Sequence, residues 1–273
     1  MPGHSTSPWL SREGTFRFEL GLRQGDEDFF KASSAAPNTL TARAAVLDAH
    51  PLRHAAMLDE GAELLERTAA FARDVAGVTM SDASSPTDQC LDLGRRWEPD
   101  FLLLKPGSDS AHRLVGGCVC FPSSWDLPEK LGSTIDVIHG PVPTLNRELG
   151  KQIDSFLNRL RPGSVWKRWN WGVAAVSDWN HHPALHHPSL HADSTLEASW
   201  LRIEHQAFRA LDAEGGILFA IRISVESLSD IARHRDSASR LADLLESMPE
   251  DVAAYKGLQS ARAPLAQQLR AAR

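Results

Sequence analysis

The chain has 273 residues, of which 42% are hydrophobic and 23% charged, and its formal net charge is −6. That length allows a sizeable core, and the composition is that of an ordinary globular protein. The negative charge argues against nucleic acid or an anionic membrane as the main partner.

Residues 1–14 read as a flexible polar tail and residues 15–273 as one domain with helical extensions. Phe16 to Leu22 alternates, as a strand or a turn would. Asp26 to Ala56 holds Phe29, Phe30, Leu40, Val46 and Leu47 with no clean period. Leu58 to Val75 is predicted to be a helix, because Leu58, Ala62, Leu65, Ala69 and Ala72 recur at helical spacing. A loop rich in Ser, Asp and Thr follows from Val78 to Pro86. Phe101–Leu104 and Leu114–Phe121 are predicted strands joined by a turn at Gly107 to Ala111.

Ile135 to Pro143 reads IDVIHGPVP and places His139 between an apolar run and two prolines, each of which biases the preceding residue toward extended geometry. Thr144 is the expected N-cap of a long helix. Its apolar stripe is Leu145, Leu149, Ile153, Phe156, Leu157 and Leu160, and Pro162-Gly163 ends it. Val165–Val176, Trp200–Leu211 and Gly216–Val225 are predicted strands, the last two joined by a hairpin turn at Ala213 to Gly216. Helices are expected again beyond Ser229. Two strands, helical connections, then three strands is the layout of a PAS-type antiparallel sheet, so the expected fold class is α+β.

Strand alternation groups the side chains. Arg168 and Asn170 share a face with Trp166. Arg202, Glu204 and Gln206 line one face of their strand, with Leu201, Ile203 and Ala207 on the other. Ile217, Phe219, Ile221, Ile223 and Val225 make an apolar face with Arg222 opposite. The polar lines suit either a solvated sheet face or a cavity with a few fixed charges. Glu204 beside Arg202 is suited to pair with a cationic amine or to relay a proton.

Cys90, Cys118 and Cys120 give neither a disulfide framework nor a four-thiolate metal site, and read as core residues of a reducing compartment. No apolar run reaches membrane-spanning length and no signal-peptide pattern is present, so a cytoplasmic location is expected. The histidines at 181, 182, 186, 187 and 191 fit no named zinc motif. A single histidine such as His139 is by itself more often structural than a ligand.

Several unlinked stretches resemble the haem-dependent oxidative N-demethylase family. They are FPSSWDLPEKLG from Phe121, IHGPVP from Ile138, RWNW from Arg168, LRIEHQAF from Leu201 and ILFAIR from Ile217. FRFELGL near the start and Tyr255-Lys256-Gly257 near the end also fit. The resemblance implies a PAS-like sheet enclosing a haem b cavity. It implies oxidation of a small secondary amine such as dimethylamine with O2, releasing formaldehyde. Electrons would come from a partner reductase carrying FMN and an iron–sulfur cluster. Residue by residue, it implies His139 as the axial iron ligand, with His205 and the loop histidines as alternatives. Lys130, Arg168, Asn170 and Arg222 become candidates for holding the haem, the three cations for its propionates, and Arg202 and Glu204 for the substrate side. One position departs from the family pattern, which usually has Arg where this chain has His205. The alternative reading is a haem- or ligand-binding PAS-type sensor or interaction protein without turnover.

Overall fold

The computed structural model describes residues 14–82 and 85–272. The expected tail at 1–14 lies, apart from Gly14, outside the described residues. The chain begins with a short strand, β1 (Arg23–Gln24), then α1 (Ala36–Ala49), α2 (Pro51–His54) and β2 (Ala55–Met57). Two longer helices, α3 (Ala62–Ala76) and α4 (Pro86–Arg96), lead into a hairpin of β3 (Asp100–Pro106) and β4 (His112–Cys118). Three helices follow: α5 (Leu127–Lys130), α6 (Ile135–His139) and α7 (Leu145–Arg159). The long strands β5 (Val165–Ala174), β6 (Trp200–Ala210) and β7 (Ile217–Ser227) come next. The chain closes with α8 (Leu228–Ala232), α9 (Arg235–Ser247), α10 (Glu250–Tyr255) and α11 (Arg262–Ala271).

The fold is α+β. Among the described residues seven strands pair antiparallel in one open sheet of order β1-β5-β6-β7-β3-β4-β2. Its edges are therefore the two-residue β1 and the three-residue β2. Helices cover both faces. On one face Phe101, Leu103, Val115, Leu218 and Ala220 pack with side chains of α1, α3 and α4, while Val173, Leu201 and Ile203 pack with α8 to α11. On the other face Leu102, Leu104, Leu114, Ile217 and Ile221 meet the buried stripe of α7, Leu149, Ile153 and Leu157. The two-residue period of β3 and β7 thus feeds both layers at once.

Local chemistry sets the ends of the elements. Gly77 (φ 68°) terminates α3 in the left-handed conformation, and the Ser85 side chain accepts from the Asp88 N–H to cap α4. The β4 ladder stops at Cys118, three residues before the predicted end. Beyond it the N–H groups of Cys120 and Phe121 turn to the buried Asp100 carboxylate, which also pairs with the buried Arg43 guanidinium. All three cysteines are buried and free.

Several local details depart from the expectations or add to them. Phe16 to Leu22 forms no ladder. Its alternation serves helix packing, because Phe16 packs with the C-terminal core and Phe18 and Leu20 with the α7 layer. Ladder pairing starts at Arg23. The strand β2 lies in a stretch with no readable period, and it pairs against Gly116 and Gly117 of β4. A Cβ on Gly116 would come within 2.3 Å of Met57 Sδ, so glycine there lets this edge approach. The IDVIH run forms α6, one of the helical connections between β4 and β5. Thr144 sits at the N-cap position of α7 with φ 60°, and its hydroxyl goes to the Glu148 carboxylate (3.1 Å), not to a backbone N–H.

Candidate functional site

A cavity of about 300 Å³ lies between the α7-facing side of the sheet and the helices α5 to α7. Its walls are mostly apolar: Leu102, Leu114, Ile138, Leu149, Phe208 and Phe219 all reach it. Phe208 and Phe219 stack with ring centroids 4.4 Å apart. A few polar groups enter this surface from three directions.

The sheet supplies a carboxylate. Asn170 on β5 is the direct partner of Glu204 on β6, so the two side chains share a face. Asn170 Nδ2 donates to Glu204 Oε2 (3.1 Å), as does Gln206 Nε2 (2.7 Å), and Ser123 Oγ donates to Oε1 (2.5 Å). Glu204 is thus a buried carboxylate held by three uncharged donors, all lining the same cavity. Arg202 stands behind this group. Its Nε donates to Ser123 Oγ (3.0 Å), and its Nη2 donates to the carbonyls of Phe121 (2.8 Å) and Pro122 (3.3 Å). It anchors the segment that carries Ser123 and does not itself line the cavity. Burial draws its pKa down to about 10, against the opposing charges of Glu204 and Asp100.

The helical layer supplies a histidine. His139 ends α6 and lines the cavity, with its Nδ1 buried and without a hydrogen-bond partner. Burial pulls its pKa down to about 4, the nearby Arg168 charge adds to that, and Asp136 opposes it. The ring is therefore neutral at physiological pH and has a nitrogen available. The sign of this shift gives a stability test. An unfolded His139 binds its proton near 6.5 and the folded one near 4, so folding stability falls as the pH drops through that window. Urea midpoints measured between neutral pH and about 4 are expected to fall, and His139→Ala is expected to flatten the slope.

Cations complete the rim. Arg168 on β5 lines the cavity with its Nε buried and unpartnered, and burial lowers its pKa while Glu204 raises it. Lys130 at the end of α5 also lines the cavity, as do Tyr255, the last residue of α10, and Lys256 just after it. Burial lowers the Lys256 pKa to about 8, with Glu204 opposing and Arg168 adding.

The structure therefore brings His139, Lys130, Arg168, Asn170 and Glu204 to one cavity, and Arg202 one hydrogen bond behind it. Arg222 is elsewhere. It projects from the opposite face of β7, beside Glu98 (3.1 Å), donates to the Lys31 carbonyl and lies over the Phe29 ring. His205 shares that opposite face and meets Ser224 Oγ at 2.8 Å. Three of the loop histidines are engaged locally: His181 Nε2 lies 2.9 Å from the Asp178 carbonyl, His187 Nε2 lies 2.8 Å from the Asn180 carbonyl, and His182 Nδ1 accepts from the Ala184 N–H (3.2 Å). Among the described residues, no group of three or more His, Cys, Asp or Glu side chains is placed to hold a metal ion. Sequence reasoning missed Ser123, Tyr255 and Lys256 as parts of this cavity, although all three fall inside the stretches that carry the family resemblance. Gln206 was legible from its place on the polar line of β6.

A family model described as haem-dependent oxidative N-demethylase, alpha subunit-like, matches residues 61–266. The chain belongs to this family. The matched span contains every polar residue placed in the cavity above, from Ser123 to Lys256.

The family description names haem, and the cavity's residues fit one. Apolar walls suit a flat macrocycle, a neutral imidazole with a free nitrogen suits iron, and unpaired buried cations suit propionate carboxylates. No helix among the described residues is long and apolar enough to cross a membrane.

Proposed function

We propose that this chain is the haem-bearing component of an oxidative N-demethylase acting on a small secondary amine such as dimethylamine. The observation that carries the reading is the pairing in one cavity of His139, neutral and with an unpartnered Nδ1, and Glu204, a buried carboxylate. His139 would hold the haem iron and Arg168 would pair with the haem's carboxylates, while Lys130 would add positive charge to the same cavity. Haem b fits best among haem types, since the three cysteines form no C-x-x-C-H attachment site. Haem bound here supplies the activation of O2.

The protein's own groups handle the amine. Glu204 receives the N–H of the substrate and fixes which methyl group turns toward the macrocycle. Asn170, Gln206 and Ser123 hold the carboxylate in place, and Arg202 keeps Ser123 where it is. The apolar walls exclude water and larger or more polar amines. Overall, one oxygen atom leaves in formaldehyde and the other as water, with two electrons and two protons consumed. Those electrons would come from a partner reductase with FMN and an iron–sulfur cluster, because this chain's cysteines are buried and too few for a cluster.

The strand order β5-β6-β7-β3-β4 within the sheet supports a PAS-like reading of the fold, and a single sheet drawing on segments from Arg23 to Ser227 supports one domain. The test is an absorption spectrum of the purified chain followed by a formaldehyde assay with dimethylamine and a surrogate electron donor. A Soret band and formaldehyde release are expected. Haem uptake without formaldehyde would make the chain a haem-binding sensor, and no uptake under ample haem supply would sink the proposal.

A further inference from the structure

Lys256 follows the last residue of α10 and is largely withdrawn from solvent. Its Nζ donates to the Trp171 carbonyl (2.7 Å) and lies 5.7 Å from the centroid of the Trp171 ring. It forms no ion pair with any described carboxylate. The same holds for Arg168, whose Nε lacks even a hydrogen-bond partner.

These two cations stand where two spaces meet. Both line the sheet-face cavity, and both line an adjoining groove of about 490 Å³ between the Thr15–Gly21 segment, β5 and α9. Glu19 and Glu204 are the carboxylates among the residues lining the inner cavity. Glu19 is paired with Arg17, and Glu204 is occupied by three uncharged donors. Two withdrawn positive charges thus meet at this junction with the single charge of Glu204 nearby and no ion pair to either, and the excess positive charge is unfavourable unless an anion completes it.

We propose that Lys256 and Arg168 together form a two-cation clamp at the cavity mouth that takes the two carboxylates of the haem; this rests on the haem reading above. The inner cavity is apolar and suits the macrocycle, and the groove is the polar exit its carboxylates need. Lys256 thereby fills the place that Arg222 cannot reach from the opposite face of the sheet. Its ties to Trp171 hold the ammonium at the junction and also join the C-terminal helices to β5.

The competing role for Lys256 is that structural tie alone, so the test must separate charge recognition from packing. Haem and haem dimethyl ester, in which both carboxylates are uncharged, are titrated into the full-length apo chain, wild type and K256M. Rates of transfer to apomyoglobin provide a second readout. K256M is expected to bind haem more weakly by on the order of tenfold, and the dimethyl ester no more weakly than the wild type does. K256R is expected to recover most of the preference for haem over its ester. Equal losses for both ligands would assign Lys256 to packing and overturn the clamp, as would no loss at all. If K256M does not fold, K256Q is read in the same comparison. A wild-type chain that takes up neither ligand would remove the haem reading itself, and this inference with it.

Discussion

His139→Ala is expected to abolish the Soret band of the purified chain. The loss should be close to complete, because no second histidine among the described residues lines the cavity. His205 lies on the opposite face of the sheet, and the histidines from His181 to His191 do not line the cavity. The fold should survive. His139 is only partly buried, its Nδ1 makes no hydrogen bond, and burial disfavours its charged form, so its removal breaks no internal bond. Free imidazole added to the variant should restore part of the band, since the truncated side chain leaves room of the right shape beside the same apolar wall. Absorbance of wild-type intensity in the variant without imidazole would place the iron elsewhere.

Glu204→Gln carries the second large effect. It keeps the size of the side chain and removes its charge, so haem uptake should stay near the wild-type level. Binding of dimethylamine, followed by the shift it causes in the haem spectrum, should weaken by roughly thirtyfold or more, as expected for deleting one partner of a buried charge pair. Turnover should fall at least as far, since orientation of the methyl group depends on the same contact. Asn170→Ala should have a smaller effect in the same direction, because Gln206 and Ser123 still hold the carboxylate. An amine-induced spectral shift of normal size and midpoint in E204Q would remove Glu204 from the substrate site.

The way these residues were and were not found follows from the physics of each signal. Alternation is local, and β5 and β6 pair in an unbroken register, so the side-by-side placement of Arg168, Asn170, Glu204 and Gln206 was readable from a two-residue period. Arg222 fails for a different reason. Its parity within β7 was read correctly, opposite Phe219 and Ile221. Which face of β7 continues the Glu204 face is a matter of register between strands. That register pairs Glu204 with Ile223, which turns Arg222 away. Ser123 and Lys256 reach the cavity through contacts more than fifty residues apart in sequence, and no periodicity announces such a contact. The short strand β2 was hidden likewise, since three residues carry too little pattern to be read, and its place depends on two glycines sixty residues away.

The brevity of the sheet's two ends has a consequence for association. An exposed row of backbone N–H and C=O groups is a template on which another chain can add a strand. Among the described residues the outermost strands are two and three residues long, and β5 runs on beyond β1 from Arg168 to Ala174 with no ladder partner on that side. Alongside that stretch lies the Thr15–Gly21 segment, which forms no ladder and encloses a groove with β5. A chain adding a strand to this end of the sheet would have to displace that segment first.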